Sequence, residues 1–234
     1  MTSLLTSVRN VTEALQAAIA GADLIDLKEP RAGALGALPA QTVREVVGAV
    51  RARWPARLLS ATIGDVAPAE HAVMMLMANT IGKCGVDYVK VGVAPGAHGR
   101  EALRRLATLP WQVVPVFLAD HGVDLKLVEE ACEMGFPAVM ADTAGKQAGS
   151  LFDCVDITTL AAMTRIARRR GVKVGLAGSL QLVHLPHLHA LAPDFAGFRG
   201  ALCDGGRAGH LDPAKVAALR AGLHPAAALE PQPA

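Results

Sequence analysis

Aromatic residues are scarce: only 3% of the 234 residues are Phe, Trp or Tyr, which leaves no platform on which nucleobases would stack. Charge of one sign is equally lacking. The 23 basic and 21 acidic residues give a net charge of +2, and no long basic run tracks a phosphate backbone, so no nucleic-acid partner is expected. The four cysteines, Cys84, Cys132, Cys154 and Cys203, lie far apart and form no Cys-x-x-Cys pair. Neither a zinc site nor a disulfide framework is expected from them, and the pattern suits a reducing compartment. The greasiest stretch, residues 72–81, stops at Lys83 and Asp87, and residues 1–9 carry no basic leader region. No membrane partner is expected, and the location read from these absences is cytoplasmic.

What is present is a large apolar fraction, 52%, enough for one core, because a chain of this length buries roughly 70 to 75% of its unfolded surface. Short β-type runs at 4–8, 24–27, 58–63, 88–93, 112–118, 138–142, 173–177 and 195–199 alternate with helical patterns at 11–20, 42–54, 69–83, 100–108, 125–134, 157–170, 182–191 and 214–223. Strict alternation of this kind implies parallel strands joined by right-handed crossovers. The fold class is therefore α/β, and eight units in about 225 residues predict a single-domain (β/α)8 TIM barrel over residues 1–225. A doubly wound open sheet is the competing topology, but no Gly-x-Gly-x-x-Gly turn follows the first strand. The Ala- and Pro-rich residues 226–234 are read as a flexible tail.

In a barrel the chemistry gathers at the C-terminal ends of the strands. The second strand ends Asp26-Leu27-Lys28, and period-2 alternation turns Asp26 and Lys28 inward while Ile25 and Leu27 face the helices. In the fourth strand Lys90 sits between valines, and the sixth ends at Asp142, with Lys146 in the loop after it. Inward side chains of alternate strands share a layer, so Lys28, Lys90 and Asp142 are expected to meet near the mouth. The chain uses 7 lysines against 16 arginines, and two of those few sit at interior strand ends. Lysine does there what arginine cannot, which is to lose a proton and attack a carbonyl. The bland reading of either lysine alone is a salt bridge to Asp26 or Asp142.

The ends of strands seven and eight read Gly178-Ser179 and Arg199-Gly200, followed by Gly205-Gly206-Arg207. These are expected to bind phosphate, through free N–H groups where Gly178-Ser179 opens the next helix and through bidentate donors from Arg199 and Arg207. On the third strand Ser60 and Thr62 are expected to face inward beside the lysines. Asp65 is a ligand, a lysine partner or a helix cap. Asp120 and His121 form a candidate proton-transfer group or a loop cap. The histidines His184, His187 and His189 lie on the seventh helix with Pro186 among them, so no metal is expected, and Met74, Met75 and Met77 are read as packing.

Taken in order, the segments 25–30 (Ile-Asp-Leu-Lys-Glu-Pro), 33–37 (Gly-Ala-Leu-Gly-Ala), 60–65 (Ser-Ala-Thr-Ile-Gly-Asp), 87–92 (Asp-Tyr-Val-Lys-Val-Gly), 142–144, 151–153, 176–179 and 199–201 make the chain resemble the (5-formylfuran-3-yl)methyl phosphate synthase family of methanofuran and methylofuran biosynthesis. The resemblance implies a lyase acting on carbon–oxygen bonds of phosphates, class I aldolase-like. It would condense two glyceraldehyde 3-phosphate molecules into a furan phosphate with loss of phosphate and water. It implies Lys28 as the Schiff-base lysine, Lys90 as a proton-transfer group, and Asp26, Asp142 and Lys146 in support, with no cofactor. The chain departs from the family pattern at Ala141, at Gln147-Ala148, and at the segment 117–120, which lacks an expected Gly-Tyr. Other readings are a simpler Schiff-base aldolase of a sugar phosphate, a sugar-phosphate isomerase or epimerase, and a non-catalytic phosphate-ligand binding protein. Apolar helix faces such as residues 73–76 suit a homo-oligomer.

Overall fold

In a computed structural model, which describes residues 1–120, 122–145 and 149–224, the eight apolar runs become parallel strands. They are β1 (Ser3–Val8), β2 (Leu24–Leu27), β3 (Leu58–Thr62), β4 (Tyr88–Val93), β5 (Val113–Leu118), β6 (Ala138–Asp142), β7 (Lys173–Leu176) and β8 (Phe195–Phe198). Neighbours pair in sequence order and β8 pairs with β1 to close the barrel.

The outer ring holds α1 (Val11–Ile19), α2 (Ala40–Arg51), α3 (His71–Gly82), α4 (Gly96–Leu106), α5 (Leu125–Glu133), α6 (Leu151–Cys154), α7 (Ile157–Arg169), α8 (Leu185–Leu191) and α9 (Pro213–Leu223). Sequence patterning locates every one except the single turn α6. It also misses the hairpin of β9 (Cys203–Asp204) and β10 (His210–Leu211) in the loop after β8, because two-residue strands carry no periodicity. Side-chain caps explain several helix starts: Asn10 accepts from the Glu13 N–H, Asp124 from Leu127, and Asp156 from Thr158 and Thr159, each meeting donors that the first turn leaves unpaired.

Strand alternation sorts the apolar side chains into two buried clusters. Leu4, Ile25, Leu27, Leu59, Val89, Val91 and Val139 face outward against helix residues such as Ala14, Val43, Val46 and Leu103. Leu5, Val114, Val116, Met140 and Phe195 fill the barrel interior, joined by Leu35 from the loop after β2. Gly175 is needed for this filling: a Cβ there would lie 2.1 Å from the Phe195 ring. Among the described residues no helix is long and apolar enough to cross a membrane. Lys146, His121 and the tail residues 226–234 lie outside the described residues.

Candidate active site

The register of β1, β2 and β3 places Ser7, Asp26 and Ser60 side by side. That row becomes a hydrogen-bonded cluster inside the barrel. Asp26, fully buried, accepts from Ser60 Oγ at 2.6 Å, from Ser7 Oγ at 3.1 Å and from Lys90 Nζ at 3.0 Å. Burial alone would raise the Asp26 pKa. The charges of Lys90 and Lys28 and the hydrogen bonds from Ser60 and Lys90 outweigh it and hold the carboxyl below its ordinary range.

Lys28 follows β2 directly and points into a cavity of about 250 Å³ at the C-terminal end of the barrel. Its Nζ lies 3.6 Å from Asp142 Oδ2, an ion pair too long for a hydrogen bond, and Asp142 Oδ2 is left without one among the described residues. Burial pushes the Lys28 amine below its ordinary pKa, and the nearby Lys90 and Arg207 charges push it further in the same direction. Asp142 and Asp26 work against that shift. Each lysine thus has one of the two expected carboxylate partners: Asp26 serves Lys90, and Asp142 stands beside Lys28.

The expected layer of Lys28, Lys90 and Asp142 lines this one cavity, roofed by Gly178, Ser179, Gly200, Gly206 and Arg207. Gly178 has φ +108°, and a Cβ there would lie 2.8 Å from the Thr143 side chain. Ser179 is held at φ 47°, rare for a residue with a side chain. Arg207 crosses the mouth to donate to the Gly33 carbonyl. Its buried Nε has no hydrogen-bond partner among the described residues, and Arg207 is itself part of the cavity lining.

Several expected site residues sit elsewhere. Arg199 lines the cavity, but its donors are spent on Glu13 and on the carbonyls of Ser7, Arg207 and Gly209, which leaves no free fork for a phosphate. Ser60 is turned to Asp26, and Thr62 donates to the Gly36 carbonyl at 2.9 Å, so neither lines the mouth. The Asp120 carboxylate accepts the Ala144 and Gly145 N–H groups at 2.5 and 2.6 Å and holds the β6 loop rather than facing the lysines. Gly205 lies off the cavity. No long helix opens at Gly178-Ser179: a 3-10 turn (Leu182–His184) precedes the seven-residue α8, so the dipole argument drops out.

Asp65 caps no helix. It accepts the Ala34 and Leu35 N–H groups at 2.9 and 3.0 Å and pins the β2 loop. His184 and His187 flank the Phe152 ring. A second cavity, about 210 Å³, opens at the N-terminal end, and Lys90 lies between it and the mouth. Sequence reasoning missed Ser7, which period-2 alternation from Leu5 signals, and Glu13, whose place on α1 gives no sign that it is buried.

Solved structures share the barrel at low identity. A 3-hexulose-6-phosphate synthase aligns over 95% of this chain and all of its own, with TM-score 0.62 and 20% identity. The phosphoribosyl anthranilate isomerase of Thermus thermophilus covers 96% of this chain and 98% of its own, with TM-score 0.63 and 17% identity. Sequence similarity is closer. A Methylorubrum extorquens protein provisionally named (5-formylfuran-3-yl)methyl phosphate synthase is 42% identical over 224 residues, covering 94% of this chain and 92% of its own length. The (5-formylfuran-3-yl)methyl phosphate synthase of Methanosarcina mazei is 34% identical over 220 residues, 87% of this chain and 92% of that one. With the family pattern of 4-HFC-P synthase matched across residues 4–220, and with the same segments building the lysine cavity, the chain belongs to the 4-HFC-P synthase family.

Proposed function

We propose that this protein makes (5-formylfuran-3-yl)methyl phosphate from two molecules of glyceraldehyde 3-phosphate, with loss of one phosphate and two waters, through a Schiff base on Lys28. The observation that carries the reading is the Lys28 amine, buried in the mouth cavity and held below its ordinary pKa beside a second lysine. An amine that sheds its proton more readily than an ordinary lysine is more often in the form that attacks a carbonyl.

The iminium formed on Lys28 is an electron sink, so the α-carbon of the bound triose gives up a proton and becomes the nucleophile that adds to the second aldehyde. Lys90, hydrogen-bonded to Asp26, and Asp142, beside Lys28, are the groups within the cavity suited to moving protons in the addition, elimination and dehydration steps. Phosphate is received at the β7 and β8 loops, by Gly178, Ser179, Gly200 and Gly206, with Arg207 supplying the charge. This chemistry is that of a lyase and asks for no pyridoxal or metal.

The test is to incubate the protein with glyceraldehyde 3-phosphate and reduce half with borohydride for peptide mass spectrometry. The other half is assayed for a furan chromophore and released phosphate. An adduct on Lys28 with both products is the expected result. An adduct without furan leaves a simpler aldolase, and no adduct overturns the Schiff-base reading.

A further inference from the structure

A buried glutamate on the outer ring is tied, through two arginines, to the loop after β8. Glu13 lies on α1 yet is 3% exposed, a placement that a carboxylate tolerates only when its charge is met. It is met by two arginines. Arg199 Nη1 and Nη2 donate to it at 2.5 and 3.1 Å, and Arg9 Nη2 and Nε at 3.0 and 3.3 Å. The Arg9 backbone N–H adds another bond at 2.9 Å. Burial raises the Glu13 pKa, but the hydrogen bonds and charge of Arg199 and the hydrogen bonds of Arg9 outweigh it and hold the carboxyl below its ordinary value.

Apart from the bond of Arg199 Nη1 to the Ser7 carbonyl on β1, the remaining contacts of the same two arginines go to consecutive carbonyls of the loop after β8. Arg199 Nε donates to the Arg207 carbonyl at 3.0 Å, and Arg9 Nη1 to that of Ala208 at 3.0 Å. The Gly209 carbonyl receives both Arg199 Nη2, at 2.8 Å, and Arg9 Nη2, at 3.1 Å. Three successive peptide oxygens of a glycine-rich loop are thus fixed by two cations, and one carboxylate fixes both cations. Gly205 and Gly206 at the start of this loop have φ +74° and +76°, a backbone that without such anchors has many conformations open to it. The side chain aimed into the mouth from the anchored segment is Arg207.

We propose that Glu13 is a positioning residue for phosphate recognition: through Arg199 and Arg9 it sets the loop that presents Arg207 to the phosphate group of the substrate. The inference rests on the proposed function for the identity of that substrate. Glu13 is not among the residues lining the mouth cavity and reaches Lys28 only through the distant charge of Arg207, so its loss weakens binding of phosphorylated carbonyls far more than carbonyl capture by Lys28.

The test compares borohydride trapping at Lys28 with glyceraldehyde 3-phosphate and with unphosphorylated glyceraldehyde, in the wild type, Glu13→Gln and Glu13→Asp. Loss of a charge-assisted bond network of this kind predicts that Glu13→Gln raises the half-saturating triose phosphate concentration about tenfold or more. Glyceraldehyde half-saturation should stay within about twofold, below the scale of one lost charged hydrogen bond. Glu13→Asp, which keeps the charge, should recover part of the difference. Arg199→Lys, which keeps a cation but not the fork, should show the same phosphate-selective loss and serves if Glu13→Gln fails to fold.

Equal weakening of both aldehydes, or no weakening of either, overturns the proposal. Should the wild type trap no aldehyde at all, the Schiff-base reading fails by itself. Calorimetric titration of wild type and Glu13→Gln with inorganic phosphate still decides the role of Glu13: unchanged affinity overturns it.

Discussion

Lys28 Nζ stands 3.6 Å from Asp142 Oδ2, whereas Lys90 Nζ is hydrogen-bonded to Asp26 at 3.0 Å. The looser pair is the one in which a proton is readily surrendered. Because burial lowers the Lys28 pKa, the rate of trapping at saturating aldehyde should rise with pH and level off below the ordinary lysine value of about 10.4. Asp142 is the largest influence raising that pKa, so Asp142→Asn should move the rising limb to lower pH even where its plateau is slower. A limb that stays put or moves up would remove Asp142 from this role.

The tighter pair makes a prediction about stability. Lys90 is 2% exposed and Asp26 is fully buried, so Asp26→Ala leaves a buried ammonium without its counter-ion. Breaking such a pair costs about 3 to 5 kcal/mol, which for a chain of this size lowers Tm on the order of 10 °C. Asp26 also takes the Ser7 and Ser60 hydroxyls, which adds to the cost. Thermal unfolding followed by circular dichroism reads it, and a change within about 2 °C would show the pair to be relieved by water.

Acid should weaken the Glu13 anchor. A carboxyl whose folded pKa is depressed stabilises fully above its unfolded value, about 4.3, and loses that contribution as pH falls through the folded one. The stability curves of wild type and Glu13→Gln should therefore be separated at neutral pH and begin to approach each other below about pH 4. Urea titrations across pH 3 to 7 test this, and a constant gap would mean that the carboxylate is not what holds Arg199.

The barrel was legible because eight apolar runs alternate with helical patterns, and the Lys28, Lys90 and Asp142 cavity because a lysine between valines or after an Asp-Leu step turns inward by period 2. What stayed hidden was how the hydrogen-bond capacity is spent. Arg199 reads as an anion donor until Glu13, 186 residues away in sequence, takes its fork. Asp120 and Asp65 read as catalytic or capping carboxylates until each is found holding two loop N–H groups. Such pairings join the ends of different strands, and no local pattern encodes them. Residue type and face are local properties, and partner choice is not.

Asp65 gives the last prediction. Its two oxygens hold the Ala34 and Leu35 N–H groups, Thr62 holds the Gly36 carbonyl, and Arg207 holds the Gly33 carbonyl, so the segment 33–36 is fastened over the barrel mouth with Leu35 packed into the interior. Space also ties Asp65 to this turn: a Cβ on Gly33, at φ +109°, would lie 1.8 Å from Asp65 Oδ2. Asp65→Ala leaves two part-buried N–H groups without their acceptor, at about 1 to 3 kcal/mol each where water cannot replace it. Local opening is the cheaper response, since residues 28–39 form no strand or helix and are held to the apolar clusters only through Ala34, Leu35 and Leu38. Hydrogen exchange should therefore quicken at residues 34–36 by about tenfold or more while the strands keep their protection. Uniform acceleration across the barrel would instead make Asp65 a determinant of global stability.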